Sequence, residues 1–173
     1  MKKFLRFVFE NRLVLKSIRL ILTFNQKFSA LISHLKFKAL IKDSQKKSSC
    51  HWTVEIKYGE NIKVGYHTAI GPYSCLGAKS KITIGSYVRI SRGVIIETAG
   101  LDLSQPVPYP HISKPIIIED GVWIASNAII LGGVTIGANS IIGAGAVVSK
   151  NVQPNSIMVG QPLRNISKTC NSD

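Results

Sequence analysis

Residues 115–150 read PIIIEDGVWIASNAIILGGVTIGANSIIGAGAVVSK. Within that run and its edges Ile118, Ile124, Ile130, Ile136, Ile142 and Val148 recur at every sixth place. Four places after each stands a small or slim residue: Val122, Ala128, Val134, Ser140, Ala146 and Val152. A helix repeats at about 3.6 residues and a strand at 2, so neither accounts for a period of six. A coil of three short flat faces does, because each hexad supplies one face and one inward aliphatic side chain. This is the repeat signature of a parallel β-helix. A single coil cannot bury its apolar side alone, so the coils must stack into one continuous core.

The same register runs earlier in the chain. Val64, Ile70 and Leu76 are six apart, each followed directly by a glycine (Gly65, Gly71, Gly77). Glycine suits such a corner through positive φ or close backbone approach. After a slip of two residues Ile84, Ile90 and Ile96 continue the pattern. From Ile96 to Ile118 the step is 22 residues, which is not a multiple of six, so the chain leaves the coil there. The excursion 97–115 holds Gly100, Pro106, Pro108, Pro110 and Pro115 together with Asp102 and His111. Long loops on rigid scaffolds are enriched in function. The coils are expected to end near Val152, with residues 155–173 capping the open end, which otherwise exposes unpaired edges. The expected division is an arm over 1–50, a β-helix over 51–154 and a cap over 155–173.

Charge separates the arm from the body. The chain carries 22 Lys and Arg against 9 Asp and Glu, a net +13. Residues 1–50 hold 12 of those cations and only Glu10 and Asp43 as acids, a net of +10. The arm lacks Gly and Pro and reads as a basic amphipathic helix, with Val14, Ile18, Ile21, Phe28, Ile32, Leu35 and Ala39 as its apolar seam and Arg12, Lys16 and Arg19 on another face. Two readings stand for it: a helix packed on the solenoid or on a neighbouring subunit, and a peripheral anchor on anionic lipid through residues 1–42. Features of a nucleic-acid groove reader are few. No segment is long and uncharged enough to span a bilayer, and Arg6, Glu10 and Arg12 interrupt any signal-peptide core. Cys50, Cys75 and Cys170 are widely spaced and form no CxxC motif, as expected of free thiols in a reducing compartment. A cytoplasmic protein, peripheral at the inner face of the membrane in the lipid reading, follows.

Residues Pro115–Arg164 closely resemble the bacterial hexapeptide acyltransferases, above all the maltose, galactoside, xenobiotic and colanic-acid O-acetyltransferases. The shared pattern is P-I-x-I-x-x-x-V-W-I, then I-L-x-G-V-T-I-G, then G-A-G-x-V-V-S/T-K, then G-x-P-x-R/K. The resemblance implies a left-handed parallel β-helix, a homotrimer with active sites in clefts between subunits, and acetyl transfer from acetyl-CoA to a hydroxyl of a carbohydrate acceptor. It implies direct attack on the thioester with a histidine as general base, so that proximity and proton transfer carry the rate.

It also carries individual residues. Trp123 matches the Trp beside the reacting thioester; Ser126 and Ala144 fall where the coil edge meets the pantetheine arm. Ser149 and Lys150 match the S/T-K pair near the CoA nucleotide, and Arg164 a basic residue near the adenine and phosphates. Cations have an electrostatic reason to meet a polyanion. One position departs from the pattern. Relatives place a histidine after the last strand before the loop, where this chain reads Thr98-Ala99-Gly100-Leu101-Asp102. Leu101 cannot take a proton, so His111 at the returning end of the excursion is the candidate base, with Asp102 to orient it or bind acceptor. His67, His51 and His34 rank below it as face, junction and helix residues.

Three other activities compete. An amino-sugar N-acetyltransferase is the nearest. Metal-dependent hydration on the same fold needs three converging histidines, which the spacing here does not offer, and no metal is expected. A trimeric scaffold without activity is favoured by Leu101 alone.

Overall fold

The computed structural model describes residues 12–167; residues 1–11 of the arm and Cys170 lie outside them. The body is a left-handed β-helix of about six coils, with one helix ahead of it. Three parallel sheets wrap a single core. The first face stacks Asp43–Ser44, Ile62–Val64, Ile82–Ile84, Ile116–Ile118 and Thr135–Ile136. The second face runs from Ser49–Cys50 through Ala69–Ile70, Arg89–Ile90, Trp123–Ile124 and Ile141–Ile142 to Ile157–Val159. The third holds Glu55–Lys57, Cys75–Gly77, Ile95–Glu97, Ile129–Leu131 and Val147–Val148.

Cross-strand register turns the hexads into columns. Val64, Ile84, Ile118 and Ile136 line the first face inside, with Val152 bridged to Ile136. Cys50, Ile70, Ile90, Ile124, Ile142 and Met158 line the second. Ile56, Leu76, Ile96, Ile130 and Val148 line the third. The branched side chains suit a pleated surface packed on its neighbours above and below. All steps from the first face to the second, and from the second to the third, are six residues. The return from third to first face varies instead: Ile56 to Val64, Leu76 to Ile84, Ile96 to Ile118, Ile130 to Ile136, Val148 to Val152. One corner of the prism therefore absorbs every change in length.

Both ends of the solenoid lie outside the limits expected from the repeat. The first coil opens at Asp43 rather than at residue 51. Its stacked positions are Ser44, Cys50 and Ile56, too few aliphatics for the hexad to stand out. At the other end the coil passes Val152 to Ile157–Val159, and Arg164–Asn165 folds back antiparallel on that strand. The glycines after the inward aliphatics serve close approach. A Cβ at Gly65 would lie 2.5 Å from the Gly85 carbonyl carbon, and one at Gly71 2.7 Å from that of Ser91. Left-handed φ falls two residues later, at His67 and Tyr73.

The helix spans Arg12–Leu40. Against the solenoid its last turn is the anchored part among the described residues. Phe37 is buried and Ile41 follows it into the core, while Lys36 Nζ donates to the carbonyls of Trp52 (2.9 Å) and Val54 (2.6 Å). The seam through Ile18, Ile21, Phe28, Ile32 and Leu35 remains exposed, so it does not pack on the solenoid of its own chain.

Candidate functional site

The excursion is a hairpin built on the variable corner. Ala99–Leu101 pairs antiparallel with His111–Ser113, with Leu101 directly opposite His111. The flanking bonds from Asp102 N–H to Pro110 O (3.0 Å) and from Lys114 N–H to Thr98 O (3.0 Å) make 101/111 a non-hydrogen-bonded pair. Side chains of such a pair share one face and stand about 4.5–5.5 Å apart at Cβ. The His111 imidazole and the Leu101 side chain therefore share one face of the hairpin. Asp102 does not join it: its Oδ1 accepts from the Ser104 hydroxyl (2.6 Å) and N–H (3.1 Å). Those bonds, with Lys114 as a lesser influence, hold its carboxyl below the usual carboxylate range.

The root of the hairpin is fixed from several sides. Thr98 is buried; its hydroxyl donates to Gly77 O (2.8 Å) and accepts from Ser80 N–H (3.0 Å). Ser80 and Ser113 hydroxyls meet at 2.6 Å. Gly132, one coil on, lies against Thr98 O so closely that a Cβ would stand 2.5 Å from it. None of Ser80, Ser113 and Gly132 stood out in the sequence, because coil neighbours lie far apart along the chain and the hairpin changes the offset.

The remaining candidates divide into two groups. Ser149 and Lys150 follow the third-face strand Val147–Val148 at the variable corner, two coils above the hairpin, or about 10 Å at the usual strand spacing. Trp123 sits on the second face, half-exposed, its indole N–H donating to Ser91 Oγ (3.1 Å). Ser126 and Ala144 turn the corner from second to third face, with Gly145 N–H donating to Ser126 O (2.9 Å). Arg164 lies on the terminal antiparallel strand of the second face, its guanidinium beside Gly160. In a three-sided prism the variable corner is opposite the second face. His111 and Lys150 are therefore separated from Trp123 and Arg164 by the thickness of the coil. A single cleft containing both groups needs one from each of two copies.

Chemically, the hairpin offers an exposed imidazole, and the second face offers a half-exposed indole. Neither Lys150 nor Arg164 has an ion-pair partner among the described residues, whose ion pairs are Lys57–Glu55 and Lys63–Asp43. Two exposed cations, and a corner where Ser126 and Ala144 leave the backbone open, fit a phosphorylated thioester carrier. Two of the lower-ranked histidines are engaged elsewhere, and His34 is exposed on the helix. His67 stacks on Tyr87 (5.4 Å between centroids), and His51 Nδ1 meets Thr53 Oγ1 at 2.8 Å. No group of three His, Cys, Asp or Glu able to hold a metal occurs among the described residues.

Residues 115–150 match the family model described as "Bacterial transferase hexapeptide (six repeats)". A hexapeptide-repeat-containing acetyltransferase from Vibrio cholerae, solved with acetyl coenzyme A, is 33% identical with a TM-score of 0.71, the match covering 77% of this chain and 74% of that one. A maltose O-acetyltransferase from Clostridium difficile is 29% identical at a TM-score of 0.70, covering 90% of this chain and 88% of that one. Nodulation protein L of Rhizobium meliloti is 39% identical over 109 residues, 62% of this chain and 60% of its own length.

Proposed function

The chain belongs to the bacterial hexapeptide-repeat transferases, and on that premise we propose that it transfers acetyl from acetyl-CoA to a sugar hydroxyl. The acceptor oxygen gives its proton to the His111 imidazole as it attacks the thioester carbonyl. The C–S bond then breaks, and the proton passes to the departing CoA sulfur. Trp123 lies along the thioester, Ser126 and Ala144 along the pantetheine arm, and Ser149, Lys150 and Arg164 near the nucleotide. Since these groups lie on opposite sides of one prism, the working unit is a homotrimer with its clefts between copies. Asp102, tied to Ser104, serves acceptor contact or shapes the hairpin tip rather than orienting the imidazole.

One observation carries the reading: the hairpin sets His111 directly opposite Leu101, the position at which the pattern of the resembled acetyltransferases has a histidine. The acceptor proposed is a glycan of capsule or O-antigen synthesis. That places the reaction in the cytoplasm at the inner face of the membrane, with the basic arm as the holding segment.

The test is H111A, assayed by thiol release from acetyl-CoA with a panel of glycan acceptors. Loss of a general base costs about 10²–10⁴-fold. L101H in the H111A background should recover part of that loss, because the two side chains share a face. Near wild-type turnover by H111A would move the base elsewhere. Leu101 also favours a second reading, a scaffold without activity. That reading predicts no thermal stabilisation by CoA, whereas a ligand held by the native state raises stability by mass action.

A further inference from the structure

The helix Arg12–Leu40 presents an apolar surface that the other described residues leave bare. At 100° per residue, the residues with part or full burial in its C-terminal half, Ser29, Ser33, Lys36 and Phe37, fall on one side. Leu20, Phe24, Phe28, Leu31 and Leu35 fall on the other. Along its middle the body-facing side carries Asn25, Gln26, Ser29 and Ser33 beside Leu22, and a cleft of about 880 Å³ separates it from Trp52, Ile70 and Pro72. The outward side is the greasier: Leu20 is 71% exposed, Phe24 70% and Phe28 54%. The Phe24 and Phe28 rings stack at 6.5 Å between centroids, which gives that face a broad aromatic tip.

Charge decides what covers it. Between Arg12 and Leu40 the sequence holds Arg12, Lys16, Arg19, Lys27, Lys36 and Lys38 and no acidic residue. Lys16 and Lys27 fall along one edge of the apolar stripe. Packed against a second copy of itself, this helix would set cations beside cations with no carboxylate to separate them. An anionic bilayer satisfies both parts of the surface: headgroups take the lysines, and the acyl boundary takes the leucines and phenylalanines. The helix, at 29 residues, is not apolar enough to cross a membrane.

We propose that the helix docks side-on to an anionic membrane surface through Leu20, Phe24, Phe28, Leu31 and Leu35, with Lys16 and Lys27 on the phosphates. This specifies the membrane placement proposed above and does not depend on the acetyl-transfer chemistry. The orientation puts the body-facing cleft on the side of the helix away from the lipid.

Co-sedimentation of the full chain with phosphatidylcholine vesicles, with and without phosphatidylglycerol, tests it. Wild type should bind the anionic vesicles and release as salt is raised. F24S/F28S should weaken binding at least ~tenfold through the lost apolar burial. K16E/K27E should weaken binding to anionic vesicles alone. Thiol release on a soluble acceptor and the melting curve should be unchanged in both variants. No wild-type binding to anionic vesicles, or F24S/F28S binding as wild type does, overturns the proposal. Breakdown of the oligomer by F24S/F28S with vesicle binding intact would make the stripe a seam between copies. Vesicle binding without any thiol release would leave the membrane inference standing and remove the acetyl-transfer reading.

Discussion

A methyl group at Gly132 should disable the hairpin without touching it. In G132A the new Cβ would lie 2.5 Å from Thr98 O, 3.1 Å from Thr98 C and 3.3 Å from Lys114 O. The first contact is 0.9 Å short of the 3.4 Å at which ordinary contact begins (3.4 less 2.5). Both clashing residues are roots of the hairpin, joined by Lys114 N–H to Thr98 O. Thr98 cannot retreat, because its hydroxyl is pinned between Gly77 O and Ser80 N–H. The root must tilt, and His111 moves with it. Overpacking of this kind costs about 1–3 kcal/mol, which for a chain of this size lowers Tm by roughly 2–12 °C. Displacement of a catalytic group on the order of 1 Å costs up to about 10²-fold in rate. The assay pairs a melting curve with thiol release. G100A is the steric control on the same hairpin: its Cβ would meet nothing nearer than Ile112 Cγ1 at 3.9 Å, and its Tm should match wild type. Wild-type Tm and turnover in G132A would refute the account of how the hairpin is held. A lowered Tm with full turnover would refute His111 as the group it positions.

Removing both cations in K150A/R164A should raise the apparent KM for acetyl-CoA more than it lowers kcat, since lost ground-state binding appears in KM; an unchanged KM removes them from the donor site. I130A deletes a fully buried side chain stacked between Ile96 and Val148 and should cost about 2–5 kcal/mol by denaturant titration. Burial, offset in part by Lys36, pushes the Cys50 thiol from 9.0 up to about 11. The unfolded thiol ionises first, so its contribution to stability is complete below pH 9.0 and fades between 9.0 and about 11; the loss in that window should be smaller in C50V than in wild type.

The middle of the prism was legible because each inward position there is a branched aliphatic and the step between faces never changes. Ser44 and Cys50 hid the first coil, since a serine and a cysteine on inward columns do not read as a hexad. The short step from Val148 to Val152 hid the last, by moving Val152 onto the first face two residues early. His111 was recognisable as a candidate from its position before Pro115, but its partner was not. Pairing with Leu101 depends on the hairpin closing in one register, and the proline-rich tip gives no alternating pattern from which to read it. The exposure of the helix seam was also out of reach. An apolar stripe at helical spacing is ordinarily a buried one, and only the anchored last turn shows that the body leaves it uncovered.

The unequal steps on the third-to-first return have a bearing on descent as well as on folding. Insertions and deletions there leave two edges of the prism, and the ladders that join them, in phase. Replacing 97–115 with a segment of different length should therefore leave the Trp123 and Ala144 side of the molecule as it is. A lineage could rework that one edge while the other two, with Trp123, Ser126 and Ala144, are inherited intact.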